Sequence, residues 1–188
     1  MRGEVFISVD IEAAGPIPGE YSMLSLGACP IDVPEEGFYV ELRPITDRFV
    51  PQALQVGGLS LEHLSVAGVE PSAAMIALRD WVLRAASGRR PVFVGYNASF
   101  DWSFVNWYCH KYLGENPFGI GSLDIKAYYM GFSGSTWGDT ASSRLPAEFQ
   151  SERPHTHNAL DDARTQAEIF SRLLTASRSA SRRQGERS

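Results

Sequence analysis

The sequence predicts an α/β fold: a mixed five-stranded sheet, first three strands antiparallel and the others parallel to strand one, flanked by helices. Three observations predict it. The chain opens with three apolar, β-branched or aromatic runs joined by turn-rich links, which favours an antiparallel meander. A long amphipathic helix then separates the third run from a fourth, and a strand reached through such a crossover returns parallel to its neighbour. A second helix leads on to a short fifth run. No internal repeat and no P-loop or Rossmann glycine pattern interrupts this order.

Glu4-Val5-Phe6-Ile7-Ser8-Val9-Asp10-Ile11-Glu12 reads as a buried strand broken by Gly15-Pro16. Side chains alternate along a strand, so Asp10 and Glu12 share one face at its C-terminal end. Tyr21 to Cys29 is the second strand, and the turn Pro34-Glu35-Glu36-Gly37 leads into the third, Phe38 to Arg43. The stretch Pro51 to Pro71 is irregular with two short helical segments, the better being Ser60-Leu61-Glu62-His63. His63 has no partner at ligand spacing and is read as a surface or packing histidine.

Ser72 to Ala86 is a helix with Ala74, Leu78, Trp81, Val82 and Ala85 as its apolar stripe, ended by Gly88. Pro91 to Asn97 is the fourth, core strand, expected beside the first. From Ser99 a second helix presents Phe100, Phe104, Trp107 and Tyr108 on one face, with Asn97 or Ser99 as N-cap. Asp101 falls in its first turn. The helix dipole alone favours an acid there, but the C-terminal edge of a central strand is also where open α/β sheets put ligands.

Leu123 to Met130 is a short fifth strand running into a helix, and Trp137 to Phe149 is looser. Asn158 to Ser177 forms the last long helix. The net-basic remainder, 178–188, lacks apolar periodicity and is expected to be a disordered tail after a single domain covering 1–177.

At 188 residues the chain suits one domain with a sizeable core, and 44% hydrophobic with 21% charged residues is ordinary for a soluble protein. No apolar run approaches the ~20 residues of a membrane span, and Asp10 interrupts the first apolar run too soon for a signal peptide. The two cysteines, Cys29 and Cys109, lack Cys-x-x-Cys spacing, so no disulfide framework or zinc ribbon is expected and a reducing cytoplasm is the default. A formal charge of −5 argues mildly against a generic basic nucleic-acid face. A site made of carboxylates would nonetheless be acidic until cations reverse its local sign.

The segment His157-Asn158-Ala159-Leu160-Asp161-Asp162-Ala163 concentrates titratable groups where the last helix starts. Leu160, Ala163, Ala167, Phe170 and Leu174 recur at steps of three and four and mark its buried stripe. At ~100° per residue Asp162 lies on the flank of that stripe, with Ala159 and Gln166, while Asp161 points toward solvent. Two loop imidazoles, His155 and His157, precede the helix and compete for one place beside Asp162.

Taken together, these segments resemble the DEDD family of 3′–5′ exonucleases in its histidine-bearing branch, which includes DnaQ-like proofreading subunits, ribonuclease T and oligoribonuclease. The resemblance is carried by Val9-Asp10-Ile11-Glu12-Ala13-Ala14-Gly15, then Gly95-Tyr96-Asn97-Ala98-Ser99-Phe100-Asp101, then His157 to Ala163, with the histidine five positions before Asp162. It spans roughly residues 4 to 175 and depends on three motifs in order. The chain departs from the pattern at Ala13 and Ala14, since many relatives carry a hydroxyl residue after the first-motif glutamate.

The resemblance implies a ribonuclease H-like sheet and a phosphodiesterase site. Asp10, Glu12, Asp101 and Asp162 would hold two Mg²⁺ or Mn²⁺ ions, with Asp10 bridging and His157, preferred over His155, as general base. Converging carboxylates repel one another unless cations compensate them, and their hard oxygens suit Mg²⁺ or Mn²⁺. An imidazole titrates near neutrality, as a base at that place requires. The 3′ end of a single-stranded RNA or DNA would lie beside Ala13, Ala14, Met23, Leu24 and Asn97, and the product would be a nucleoside 5′-monophosphate. Stand-alone relatives lean toward RNA, and some are homodimers, so a homodimer is among the implied states. A catalytically silent nucleic-acid-binding or scaffold protein of the same fold is the alternative, although all five chemical groups are present. A calcium module is disfavoured because no loop has EF-hand spacing.

Overall fold

The computed structural model describes residues 3–153 and 156–185. Its centre is a five-stranded sheet: β1 (Glu4–Ala13), β2 (Met23–Pro30), β3 (Phe38–Glu41), β4 (Arg90–Gly95) and β5 (Ser122–Asp124), in the order β3-β2-β1-β4-β5. Strands β1, β2 and β3 pair antiparallel, and β4 and β5 run parallel to β1. This is the expected mixed α/β sheet, with β1 in the middle.

The helices are α1 (Pro51–Gly57), α2 (Leu61–Ala67), α3 (Pro71–Ala86), α4 (Ser99–Leu113), α5 (Ile125–Ser133) and α6 (Ala159–Gly185). The stretch read as irregular contains α1 and α2, and the Ser60 side chain caps α2 by accepting the His63 N–H. His63 itself is exposed, as expected. Three 3₁₀ turns, Trp137–Thr140, Ser142–Arg144 and Ala147–Phe149, take the place of the looser segment.

The alternation of β1 sorts the two layers. Val5, Ile7, Val9 and Ile11 join a core with Met75, Leu78 and Val82 of α3 and Phe104, Val105 and Tyr108 of α4. The next residues in phase turn the other way. Phe6 packs on Phe170 of α6 with ring centroids 5.4 Å apart, in a core shared with Val94, Ile125, Ala163 and Ala167. Asp10 and Glu12 follow Phe6 at even steps and so belong to the α6 side.

Two expectations need correction. Neither Asn97 nor Ser99 caps α4; the N-cap is Ala98, with no side-chain cap, because Asn97 takes a left-handed φ of 64° in the preceding turn. The last helix does not stop at Ser177 before a disordered tail but runs to Gly185. Nothing in 178–184 breaks a helix, and the Thr175, Ser179 and Ser181 hydroxyls bond back to carbonyls four residues earlier. Residues 186–188 of the expected tail lie outside the described residues.

Candidate active site

Three chain segments reach the C-terminal end of β1. Strand β1 brings Asp10 and Glu12 on its α6 face, α4 brings Asp101 in its first turn, and α6 brings Asp162 in its own. Two of the acids are held by specific hydrogen bonds, Asp101 from the Ile11 N–H and Asp10 from Gln166. Asp101 is buried and its Oδ1 accepts the Ile11 N–H at 3.0 Å, directly between the two acids of β1.

The start of α6 lies against β2 because Gly27, which pairs across from Asp10, has no side chain. A Cβ on Gly27 would come within 2.2 Å of the Ala159 carbonyl carbon and the Leu160 nitrogen. Asn158 Oδ1 accepts the Leu160 and Asp161 N–H groups and so ties down the helix start. The phase expected for the two neighbouring acids holds. Asp162 is 4% exposed, whereas Asp161 faces outward and pairs with Arg164 at 3.3 Å.

His157 precedes this turn with φ 55°, a left-handed conformation uncommon for a side-chain-bearing residue. It is exposed, yet one of its ring nitrogens lies with a carboxylate oxygen of Glu12 and one of Asp162 in a group whose atoms are all within 4.8 Å of one another. His155, the competing imidazole, lies outside the described residues.

Clustering without a cation has an electrostatic cost. Burial first, then the charges of Asp101, Asp162 and Glu12, push the Asp10 carboxyl well above its usual range, against a hydrogen bond from Gln166. Burial pushes Asp101 up to about 7, opposed by the Ile11 N–H. Glu12 also rises to about 7, from burial and then the Asp162 charge. These are carboxyl groups that a divalent cation would return to their anionic form. The donors are carboxylate oxygens with one imidazole beside them, a set that fits Mg²⁺ or Mn²⁺.

Two polar residues at the site received no role from sequence. Gln166, four residues after Asp162, accepts the Tyr96 N–H on Oε1 at 2.8 Å and donates from Nε2 to Asp10 Oδ1 at 2.5 Å. Asp124 accepts the Ala98 N–H on Oδ2 at 2.7 Å and the Ala127 N–H on Oδ1 at 2.8 Å, holding the turn before α4 and capping α5. The signals were present: Gln166 shares the flank of Asp162, and Asp124 stands at the strand-to-helix junction where a cap is needed.

The expected substrate contacts divide. Asn97 is exposed, in the turn between β4 and α4. The side chains of Ala14, Met23 and Leu24 are buried at 0%, 0% and 2% exposure and Ala13 at 8%, so they pack the protein instead of lining an open surface. The Met23 N–H donates to Tyr108 Oη at 2.9 Å, which fixes β2 against α4. Phe100, read on one face of this helix with Phe104, Trp107 and Tyr108, is 37% exposed next to Asp101. A cleft of about 210 Å³ runs along Asp10, Tyr96, Ser142, Asp162, Thr165 and Gln166.

The comparisons with known proteins agree with this geometry. A 3′–5′ DNA exonuclease of Escherichia coli, Cap18, is 51% identical over 168 residues, covering 89% of this chain and 90% of its own. A full-length 3′-exonuclease has the same fold, with a TM-score of 0.74 at 15% identity over 94% of this chain and 84% of that one. So has E. coli exonuclease I in complex with a dT13 oligonucleotide, with a TM-score of 0.70 at 15% identity over 94% of this chain, which spans only 42% of that protein. The RNase_T exonuclease family model matches residues 7–170, and with a relative half identical along nearly its whole length the chain belongs to this family, as a 3′–5′ exonuclease.

Proposed function

We propose that the chain hydrolyses the terminal phosphodiester bond at the 3′ end of single-stranded nucleic acid, DNA ahead of RNA, and releases nucleoside 5′-monophosphates. The observation that carries this reading is the meeting of Glu12, His157 and Asp162 within 4.8 Å, beside Asp10 and Asp101. The preference for DNA, against the lean toward RNA from sequence, rests on the likeness to the Cap18 DNA exonuclease.

On this reading Asp10, Glu12, Asp101 and Asp162 would hold two Mg²⁺ or Mn²⁺ ions. Such ions supply positive charge that activates a water and stabilises the attacking and leaving oxygens of an in-line displacement. His157, exposed and adjacent to Glu12 and Asp162, takes the proton from the attacking water. Its exposure lets it pass that proton on to solvent. Exposed Phe100 offers a face on which a base stacks without regard to sequence, and exposed Asn97, in the turn before α4, contacts the same nucleotide. Ala13, Ala14, Met23 and Leu24 act beneath the terminal nucleotide through their backbone and packing. The chain works as one domain, with α6 continuing past Ser177, in a reducing cytoplasm, where Cys29 and Cys109 are buried free thiols. Among the described residues no helix is long and apolar enough to cross a membrane.

The test is digestion of matched 5′-labelled DNA and RNA single strands with Mg²⁺ or Mn²⁺, comparing the parent with Asp10→Asn and His157→Ala. Shortening from the 3′ end, faster on DNA and lost in both variants, is the expected result. A parent that binds the strand but releases no mononucleotide with either metal fits the silent alternative and ends the enzymatic reading.

A further inference from the structure

Gln166 is 7% exposed and hydrogen-bonded at both ends of its carboxamide. A main-chain N–H can only donate, so the Tyr96 N–H bond identifies the acceptor as Oε1 and leaves Nε2 facing Asp10 Oδ1. The amide cannot turn over without facing the Tyr96 N–H with a second donor. One helical turn separates Gln166 from Asp162, so α6 contributes an acid and, from the same face, a group that grips the acid of β1. The other end of the amide grips the strand-to-helix turn leading to Asp101. One side chain thereby joins all three segments that carry the acids.

The residue type suits the place. A lysine or arginine would neutralise Asp10 and compete with cations. A glutamate would add a fifth negative charge to the cluster. A carboxamide binds one carboxylate oxygen, Oδ1, and changes no charge, so it leaves Oδ2 unengaged by this contact.

We propose that Gln166 is a positioning residue for the metal site, its amide holding the Asp10 carboxylate in the one orientation that presents its other oxygen to divalent cations. This rests on the metal-dependent reading given above. Groups of this kind commonly change metal affinity or activity by about 10–100-fold when removed.

The experiment titrates Mn²⁺ alone, by calorimetry, into the metal-free full-length parent, Gln166→Leu and Gln166→Glu, with kcat and KM measured on a single-stranded DNA and melting temperatures with and without Mn²⁺. Gln166→Glu still accepts the Tyr96 N–H but cannot donate to an ionised Asp10. The negative charge it adds would by itself favour Mn²⁺, so weaker binding in this variant reports the lost contact and not the charge. Both variants should bind Mn²⁺ about 10–100-fold more weakly, with a matching fall in kcat and little change in KM. Their rise in melting temperature on adding Mn²⁺ should shrink as well. A purely structural role predicts lower melting temperatures by the same amount with and without Mn²⁺, and that result overturns the proposal. So does a Gln166→Glu protein that binds Mn²⁺ and turns over like the parent, whatever Gln166→Leu does to folding. A parent that binds no Mn²⁺ overturns the metal-dependent reading itself, and this inference with it.

Discussion

The Ile11 N–H donates to Asp101 Oδ1 at 3.0 Å across ninety positions of sequence, so the acid of α4 is bonded to the strand between Asp10 and Glu12. On the proposed reading Asp101 carries two separable duties: a negative charge for cations and, through this bond, an acceptor for a buried donor. Asparagine retains the acceptor and loses the charge, whereas alanine loses both. Asp101→Asn should fold at least as well as the parent without metal, because it relieves repulsion, while losing activity by about 10²–10³-fold, the usual scale for removing one electrostatic stabiliser. Asp101→Ala should be equally inactive and also less stable by about 1–3 kcal/mol, the cost of an unpaired buried N–H. Denaturant unfolding with chelator, alongside a mononucleotide-release assay, separates the two. Equal stabilities for both variants would show that the bond to Ile11 contributes nothing.

Gly27 sets how closely α6 approaches the sheet. An alanine there places a methyl group 2.2 Å from the backbone of Ala159 and Leu160, which no rotamer change can relieve. Helix α6 must lift, and with it His157 and Asp162. Overpacking of this kind costs about 1–3 kcal/mol. Activity should fall further than stability does, because the two acids of β1 stay while their α6 partner moves. The unfolding midpoint and kcat of Gly27→Ala, measured together, give the comparison; kcat close to the parent's would mean that α6 is not held by this contact.

Much of this arrangement was readable from residue order. The period-two alternation of β1 put Asp10 and Glu12 on one face, and the helical phase of α6 turned Asp162 inward and Asp161 outward. Both are local periodicities. What local pattern could not supply is tertiary. Gln166 looked like any flanking polar residue because its partners, Asp10 and the Tyr96 N–H, come from other elements. The same limit hid Gly27, whose missing side chain matters only because α6 crosses there. Met23 and Leu24 stand near the first motif in the way a binding wall would, yet their burial depends on α4 and α2 closing over β2. The continuation of α6 to Gly185 escaped because apolar periodicity reports burial, and the sequence after Ser177 carries no such period.

Asp161 and Asp162 are adjacent in sequence and should be opposite in effect. Asp161 is paired with Arg164 near the surface, a contact worth about 0–1 kcal/mol. Asp161→Ala should keep most of the activity and lose less than about 1 kcal/mol. Asp162→Ala should be inactive at every metal concentration tested, because it removes an oxygen donor that no neighbour replaces. Side-by-side metal titrations of activity for the two variants check the assignment. An active Asp162→Ala with a dead Asp161→Ala would reverse the helix phase on which the site is built.

The raised carboxyls give the metal-free protein a definite pH dependence. Glu12 and Asp101 titrate at about 7 when folded, against ordinary values of 4.5 and 3.8. Between those limits the folded protein keeps protons that the unfolded chain has released. Stability therefore declines as pH rises through the window: the contribution of these groups is fully present below the ordinary values and gone above about 7. Asp10, raised by the same burial and neighbours, acts in the same direction. Divalent cations compete with protons for these oxygens, so Mn²⁺ should stabilise most above about pH 7 and progressively less toward pH 5. Melting temperatures taken across that range, in chelator and in Mn²⁺, should diverge on the alkaline side. Replacing Glu12 with glutamine should flatten the metal-free curve, since a neutral amide has no proton to lose. A metal-free melting temperature that climbs steadily from pH 5 to pH 8 would mean that the cluster is not strained by its own charge, and the electrostatic case for cations at this site would fail with it.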